Sequence, residues 1–337
     1  MVSAIVLYVL LAAAAHSAFA DLNQDFTYTI NGTKVTGQIV IDQEWRGNNT
    51  PTATVNLSSF GVTVNGDNVS QRFKTGTAVG SRIYILAPGG KAYEKFKLVN
   101  SELTFDVDIS QIPCGMNAAI YTAELPADGV TPGHEAGAAY GGGYCDANYV
   151  GGVGCAEFDI GESNARATVY TSHGCSPTTG FAKQGSISCD TGGTGANPYR
   201  VDKNFYGNGS SFTVNTAQKF TVVTQFKGNP LTSIDRIYIQ GNKQTKQPNN
   251  INNNLDRISP SLAAGHVLIF SIWASDGDMS WMDCNDNGPC NAGQESSRYL
   301  GTKLSDATVT YSNVRWGPID STYGTLVPRG SHHHHHH

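Results

Sequence analysis

Charge is scarce in this sequence. Only 15 % of its 337 residues are Asp, Glu, Lys or Arg, the net charge is −5, and no run of basic residues occurs. Nucleic acids and anionic membranes are bound through clustered Lys and Arg side chains, whose positive field attracts phosphate groups. The composition therefore predicts neither a nucleic-acid partner nor a membrane partner.

Long apolar runs are also missing beyond the first twenty residues, so no membrane-spanning helix is predicted in the remainder. Residues 1–20 form an apolar run that ends in A-F-A, which is typical of a secretory signal peptide, although a clear basic start is lacking. Residues 326–337 read LVPRGSHHHHHH, a protease site followed by a purification tag. We therefore expect a secreted, extracellular protein with a single domain over residues 21–323.

Helical periodicity is nearly absent, and 38 glycines help to separate short alternating runs. Runs such as L-T-F-D-V-D-I (103–109) and F-T-V-V-T-Q-F (220–226) alternate in the manner of strands with one face in a core. No repeat and no linker with a shift in composition divides the chain. The pattern predicts one all-β domain in which two large antiparallel sheets pack face to face.

Several common catalytic and metal-binding motifs are absent. There is no G-x-S-x-G elbow of a serine hydrolase, and outside the tag there is no H-x-x-x-H or C-x-x-C. His134, His173 and His266 are widely separated in the chain. The Asp-rich stretch 276–288 is superficially similar to a calcium loop but lacks a Glu at its twelfth position. No metal and no cofactor is therefore predicted.

The cysteines and the sequons indicate an oxidising, extracellular environment. A secreted protein forms disulfides by default, and an odd number of cysteines leaves one thiol. Sequons in polar, turn-like stretches are typical of glycosylated surface loops, so a disulfide-bonded glycoprotein is predicted. The seven cysteines are Cys114, Cys145, Cys155, Cys175, Cys189, Cys284 and Cys290, and the sequons begin at Asn31, Asn48, Asn56, Asn68 and Asn208.

The densest acidic cluster lies in G-C-A-E-F-D-I-G-E-S-N, residues 154–164. Alternation along a strand places Glu157 and Asp159 on one face, whereas Glu162, five positions from Glu157, falls on the other. If the three carboxylates serve one site, a bulge must intervene, and Gly161 is the expected place for it. The alternative is a polar strand edge whose acids are simply solvated.

Three clustered acids in a secreted all-β protein suit the hydrolysis of glycosidic bonds. That reaction needs one carboxylate to attack the sugar or activate water, and one carboxylic acid to protonate the leaving oxygen. A third acid can shift the pKa values of the other two apart. Tryptophan rings could serve as flat platforms for sugar faces, although a buried Trp is often only a core residue. The four tryptophans are Trp45, Trp273, Trp281 and Trp316.

The stretch C-A-E-F-D-I-G-E-S-N resembles the E-x-D-x-x-E signature of glycoside hydrolase family 7, the cellobiohydrolase and endoglucanase family. Further segments resemble that family in the same order, among them V-I-D-Q-E-W-R, S-R-I-Y-I-L, G-Y-C-D-A, N-P-Y-R-V-D-K-N-F-Y-G and Y-S-N-V-R-W-G-P-I. The resemblance spans about residues 35–320. It implies a concanavalin-like β-jelly-roll sandwich with a long open substrate cleft, and a retaining double-displacement mechanism.

The resemblance also implies individual roles. Glu157 resembles the nucleophile, Glu162 the acid/base, and Asp159 the acid that hydrogen-bonds and tunes the nucleophile. Trp316 has no counterpart among the sugar platforms and is expected in the core. The positions that match substrate-binding residues of the family are Trp45, Asn117, Tyr121, Tyr144, Asp146, His173, Trp273, Trp281 and Arg298.

Disulfide pairings follow from the same resemblance. Cys145–Cys155 and Cys175–Cys189 match family pairs. Cys114 should bond to a cysteine near the C-terminal end, either Cys290 or Cys284, which leaves the other as a thiol. In a further alternative, Cys284 and Cys290 close a small loop and Cys114 remains reduced.

Departures from the family pattern concern the loops. Gly47 stands where the family has a second Trp, and the chain is shortened between Cys175 and Asn197 and between Gln240 and Leu262. Shorter loops imply an open cleft and internal cleavage. We therefore expect a monomeric endo-β-1,4-glucanase that acts on cellulose or related β-glucans. The alternatives are a reducing-end cellobiohydrolase, a xyloglucan or mixed-linkage glucanase, and a non-catalytic glucan-binding protein.

Overall fold

The computed structural model describes residues 23–44, 55–275, 279–291 and 306–324. Strand dominates these residues, as the alternating runs predict. Within these ranges, helix is confined to α1 (Ser259–Ala264), α2 (Ser280–Asp283) and five short 3-10 turns. The predicted signal peptide and tag, together with Trp45 and Arg298, lie outside the described residues, so the predictions for them stay predictions.

The strands follow one another through the whole described chain. In order they are β1 (Gln24–Ile30), β2 (Thr33–Ile41), β3 (Val62–Asn65), β4 (Asn68–Arg72), β5 (Lys74–Thr75), β6 (Ala78–Val79), β7 (Ser81–Leu86), β8 (Lys95–Phe96), β9 (Ser101–Asp108), β10 (Asn117–Ala123), β11 (Val153–Cys155), β12 (Glu157–Ser163), β13 (Thr168–His173), β14 (Cys175–Ser176), β15 (Phe181–Lys183), β16 (Ser188–Cys189), β17 (Thr194–Ala196), β18 (Tyr206–Gly207), β19 (Val214–Asn215), β20 (Phe220–Lys227), β21 (Ser233–Gln240), β22 (Lys243–Lys246), β23 (His266–Trp273) and β24 (Thr308–Pro318). The 3-10 turns are Leu57–Phe60, Ala138–Tyr140, Val150–Gly152, Pro198–Arg200 and Asn285–Asn287.

Most strands belong to one hydrogen-bonded ladder in the order β17-β13-β12-β10-β23-β7-β2-β1-β24-β9-β20-β21-β22. Neighbours along this ladder are antiparallel except β1 and β24, which run parallel where Thr29 pairs with Arg315 and Ile30 with Trp316. The prediction of an all-β jelly-roll is confirmed. A single parallel pair at this junction joins the two halves into one continuous ladder.

The two ends of the ladder face each other across the main core. Phe158 of β12 meets Phe226 of β20 edge to face, with ring centroids 5.0 Å apart. The hydroxyl of Tyr170 on β13 donates to the carbonyl of Ile234 on β21 over 3.2 Å. Because side chains alternate along a strand, the residues of β12 next to Phe158 point away from this core. That opposite face carries the candidate site.

The described residues contain three disulfides. They are Cys114–Cys290, Cys145–Cys155 and Cys175–Cys189. These are pairings that the family resemblance implies, and the alternative Cys284–Cys290 bond is wrong because Cys290 is joined to Cys114. Cys284 remains a buried thiol, and its Sγ donates to Asp283 Oδ1 over 3.3 Å.

The described surface is consistent with a glycosylated protein. The sequon residues Asn31, Asn56 and Asn68 are exposed, and Asn208 is half-buried. Asn48 lies outside the described residues. Neither helix in the described part of the chain is long and apolar enough to cross a membrane.

Candidate active site

A β-bulge in β12 brings the three predicted acids to one face. Against β10, Asp159 pairs with Tyr121 and Gly161 pairs with Ile120, so Ile160 has no counterpart. The register of β12 against β13 shifts over the same residues. One extra residue reverses the alternation beyond it, and Glu162 therefore shares the face of Glu157 and Asp159. The predicted distortion is confirmed.

Gly161 lies within the distorted stretch, where the distortion was expected. Against β10 the unpaired residue is its neighbour Ile160, whereas against β13 both Ile160 and Gly161 lack a register partner. Gly161 is not among the residues with positive φ. A Cβ at Gly161 would lie 3.4 Å from Ser163 Oγ, which is ordinary contact. The register of the two neighbouring strands decides the position of the bulge.

Glu157 lies buried at the start of β12, directly opposite His173 in the register with β13. Its Oε2 accepts a hydrogen bond from the backbone N–H of Ala147 over 3.1 Å. Burial, followed by the neighbouring charges of Asp159 and Asp146, raises the pKa of Glu157 well above its usual range, while His173 and the Ala147 N–H act in the opposite direction. These last two groups are therefore the ones that favour an ionised Glu157.

Asp159 and His173 form a buried pair. His173 Nε2 lies 3.0 Å from Asp159 Oδ2, and His173 Nδ1 lies 2.7 Å from the carbonyl oxygen of Asp190. Burial alone lowers the pKa of His173, but its hydrogen bond to Asp159 and the nearby carboxylate charges raise it to about 10. At neutral pH the ring is an imidazolium that donates from both nitrogens.

A glycine lets the loop after β16 close over this histidine. Gly193 has φ +67°, and a Cβ there would lie 2.5 Å from His173 Cε1. Only a residue without a side chain permits this approach in the left-handed region. The Gly193 N–H donates to Asp190 Oδ1 over 3.0 Å, so the segment that holds His173 Nδ1 is itself fixed.

Glu162 is half-buried and is held by a side-chain amide. Asn117 Nδ2 donates to Glu162 Oε1 over 2.9 Å, while Asn117 Oδ1 accepts from the Ser163 N–H over 3.1 Å. Burial and the negative charge of Asp159 raise the pKa of Glu162 to about 8. At neutral pH Glu162 is therefore a carboxylic acid that has a proton to donate.

Two tyrosines and an aspartate lie next to Glu157, as predicted. The hydroxyls of Tyr121 and Tyr144 are 3.0 Å apart. Asp146 Oδ1 accepts from the backbone N–H groups of Asn148 and Val150, both at 3.0 Å, and burial raises its pKa. All three predicted residues are buried against the acid strand.

Arg82 and Asp42 also belong to this wall, and sequence reasoning missed them. The Arg82 guanidinium lies 3.2 Å from the centre of the Tyr144 ring, and Arg82 Nε donates to Asp42 Oδ2 over 2.8 Å. The hydroxyl of Tyr84 donates to the same oxygen over 2.7 Å. The available signal was S-R-I-Y-I-L, where an arginine alternates in phase with a tyrosine inside an otherwise apolar strand.

Trp273 and Trp281 stack on each other beside the acids. Their ring centroids are 6.5 Å apart with an interplanar angle of 23°, and Trp281 is 43 % exposed. Trp273 pairs in register with Asn117, which holds Glu162. The pair therefore offers a flat apolar surface next to Glu162 that suits the face of a sugar ring.

The other histidines of the described residues are not part of this site. His134 Nδ1 lies 2.8 Å from Glu44 Oε2, and its Nε2 lies 2.9 Å from the carbonyl oxygen of Gly151, so neither nitrogen faces the three acids. His266 is fully buried between Ser261 and Thr122, and burial lowers its pKa to about 3. The site thus combines three carboxyl groups, one imidazolium and an aromatic platform, a set suited to acid- and nucleophile-assisted cleavage of an acetal.

The chain is similar to known glycoside hydrolases over most of its length. The family model for Glycosyl hydrolase family 7 matches residues 8–151, 148–258 and 250–323. Endo-beta-1,4-glucanase celB of Aspergillus oryzae is 37 % identical over 321 residues, which cover 79 % of this chain and 77 % of that protein. Endoglucanase EG-1 of Humicola insolens is 34 % identical over 317 residues, covering 79 % and 73 %. The solved structure of Endoglucanase I complexed with cellobiose has a TM-score of 0.82 at 28 % identity and covers 90 % of this chain and 98 % of its own.

Proposed function

The chain belongs to glycosyl hydrolase family 7, and on that premise we propose that it is an endo-β-1,4-glucanase that cleaves internal bonds of cellulose or a related β-glucan with retention. It is a glycoside hydrolase by family. The observation that carries the proposal is the bulge at Ile160, which sets Glu162 on the face of Glu157 and Asp159. Without it, the second carboxyl group would point into the core.

The two glutamates take different parts in a double displacement. Glu157 attacks the anomeric carbon while Glu162 gives its proton to the departing glycosidic oxygen, and a glycosyl-enzyme forms. Glu162, now ionised, then takes a proton from the water that hydrolyses this intermediate, so the anomeric configuration is retained. The raised pKa of Glu162 supports the acid part of this role.

The groups around Glu157 support its assignment as the nucleophile. Two of them favour the ionised form that attack requires: the His173 imidazolium, and the Ala147 N–H that Glu157 Oε2 accepts over 3.1 Å. Burial and the charges of Asp159 and Asp146 act in the opposite direction and raise the pKa of Glu157.

The mode of action is proposed from the loops and from the relatives. The segments between β14 and β17 and between β21 and α1 are the ones that the family resemblance indicates as shortened, and shorter loops favour an open cleft where internal bonds can bind. Relatives that are 34–37 % identical carry endoglucanase names, and one structural neighbour holds cellobiose. Three disulfides are consistent with secretion. We further propose that the enzyme acts as an extracellular monomer.

We expect a rapid fall in the viscosity of carboxymethylcellulose with little release of reducing sugar, because each internal cut shortens a chain without freeing a small product. The measurement pairs viscometry with a product profile resolved by chain length on cellulose, xyloglucan and mixed-linkage glucan. The anomer that is formed first, followed by NMR, checks retention. Cellobiose as the dominant early product would indicate a cellobiohydrolase, and binding without turnover would indicate a glucan-binding protein.

The activity should have an alkaline limb near pH 8, because the protonated Glu162 is the active form and its pKa is raised to about 8. Asp159→Asn removes a negative charge that favours this proton, so the limb in kcat/KM is expected to move to lower pH. Asp25→Asn, at an exposed acid on β1, is the matched control and should leave the limb in place. If the alkaline limb stays near pH 8 in Asp159→Asn, the ionisation of Glu162 is not its cause.

A further inference from the structure

Arg236 is a buried cation in the apolar core between the two layers. It lies on β21 and is 2 % exposed. Its side chain crosses the core from the layer opposite the acid strand and reaches β12 and β13. No ion pair to Arg236 is found among the described residues. Burying a charge without a counter-charge lowers the stability of a protein, and an apolar residue of similar size at such a core position is often equally or more stabilising.

The contacts of Arg236 are concentrated on the bulge. Its Nη2 donates to the carbonyl oxygen of Ile160, and its guanidinium carbon lies 4.3 Å from the centre of the Tyr170 ring. Its Nε has no hydrogen-bond partner within the described residues. Tyr170 lies on β13 between the two positions where the register with β12 shifts. The guanidinium therefore contacts both strands at the point of irregularity.

Ile160 is the residue that the ladder leaves out. Asp159 and Gly161 have partners on β10, but Ile160 has none. A bulged residue loses regular ladder bonds, and a buried carbonyl without a donor is unfavourable. Arg236 supplies that donor from across the core. A charge-assisted bond of this kind is stronger and more directional than a neutral one.

The packing around the bulge is incomplete. A cavity of about 20 Å³ lies beside it, lined by Arg236, Gly161, Ile120, Ser163 and Val222 among others. A void of this size holds at most about one water molecule. The side chains beside the bulge therefore leave a gap next to Arg236 and Gly161.

We propose that Arg236 is a positioning residue for the acid/base: it holds the Ile160 carbonyl, fixes the bulge, and so keeps Glu162 on the face of Glu157. The inference rests on the proposed function of Glu162. Arg236 does not touch the substrate face and acts through the backbone. Relaxation of the bulge would turn Glu162 away from Asp159 and from the reacting bond, and a displacement of about 1 Å can cost roughly 100-fold in rate.

The test compares four variants at a temperature where each is folded. Arg236→Met keeps the apolar length but removes the donor, and Arg236→Gln keeps a polar group too short to reach Ile160. Both are expected to lower kcat by ~10- to 100-fold with KM nearly unchanged, and to move the alkaline limb to lower pH as Glu162 leaves Asp159. Arg236→Lys, which retains a donor, should recover part of kcat. Val222→Ala enlarges the same cavity without removing a bond to β12, and should lower Tm while kcat and the limb stay unchanged.

The results distinguish the positioning role of Arg236 from the proposed function of Glu162. Wild-type kcat and an unmoved alkaline limb in Arg236→Met or Arg236→Gln would overturn the positioning role. The same holds if these variants lose no more kcat than Val222→Ala when all have the same Tm. If neither variant folds, Arg236 serves the fold and the positioning role is wrong. If Glu162→Gln retains full activity, the proposed function fails; if Glu162→Gln is inactive while Arg236→Met is unaffected, only the positioning role fails.

Discussion

Replacing Glu157 with Gln is expected to lower kcat by at least ~10³-fold on every glycoside substrate, because an amide cannot form the glycosyl-enzyme. The fold should persist, since Gln has nearly the same shape and its amide oxygen can still accept the Ala147 N–H. The neutral side chain also relieves repulsion from Asp159 and Asp146, which raise the pKa of Glu157. Turnover on cello-oligosaccharides, with Tm as the check on folding, measures the effect.

Glu162→Gln should behave differently, because the need for Glu162 differs between the two steps. Formation of the glycosyl-enzyme needs its proton only when the leaving group is basic, whereas hydrolysis of the glycosyl-enzyme needs Glu162 as a base for every substrate. With a sugar as leaving group the loss should be ~10²- to 10⁴-fold. With dinitrophenyl cellobioside the leaving group departs without protonation, so a burst of dinitrophenolate should precede slow turnover. The same substrate should give no burst with Glu157→Gln. This contrast assigns the nucleophile and the acid separately.

The control for both variants is Glu135→Gln, which changes an exposed glutamate outside the site and should leave all rates unchanged. Two results would contradict the assignment. One is full activity in either site variant, and the other is a burst with Glu157→Gln but none with Glu162→Gln. The second result would exchange the two roles while leaving the hydrolase itself in place.

Removing the Cys114–Cys290 disulfide, by Ser at both positions, is expected to cost ~5 kcal/mol of unfolding free energy. The bond closes a loop with a sequence separation of 176 residues, and the entropy that it removes from the unfolded chain grows with the logarithm of loop length. The bond also ties Cys114, which precedes β10, to the segment that carries Trp281. Equilibrium unfolding in guanidinium chloride without reductant gives the difference.

The matched control is the double Ser variant at Cys145 and Cys155. That bond closes a loop with a separation of only 10 residues, so the same relation gives ~3 kcal/mol. Both variants keep the Cys284 thiol, which makes the comparison one of loop length. An equal or larger loss in the short-loop variant would show that local packing, and not chain entropy, dominates the stabilisation.

Much of the site could be predicted from the sequence because it depends on local periodicity. Glu157 and Asp159 lie two apart, and any strand places such residues on one face. The need for an irregularity before Glu162 follows from the same rule. The residue left unpaired does not follow, since Gly161 was the expected place and its neighbour Ile160 is the residue without a partner on β10. Hydrogen-bond partners on β10 and β13 decide which residue is left out, and β10 is separated from β12 by residues 124–156.

The sequence by itself determined the strand class, the family, the three acids and the presence of disulfides, because alternation and motif spacing are properties of short segments. Only the tertiary structure decided that Arg82 lies under Tyr144 and that Arg236 crosses the core to the Ile160 carbonyl. In I-D-R-I-Y-I-Q the arginine occupies an ordinary strand position, and nothing local says whether its face meets water or the opposite layer. The two layers must come together before the free energy of a buried cation can be offset by a carbonyl and an aromatic ring.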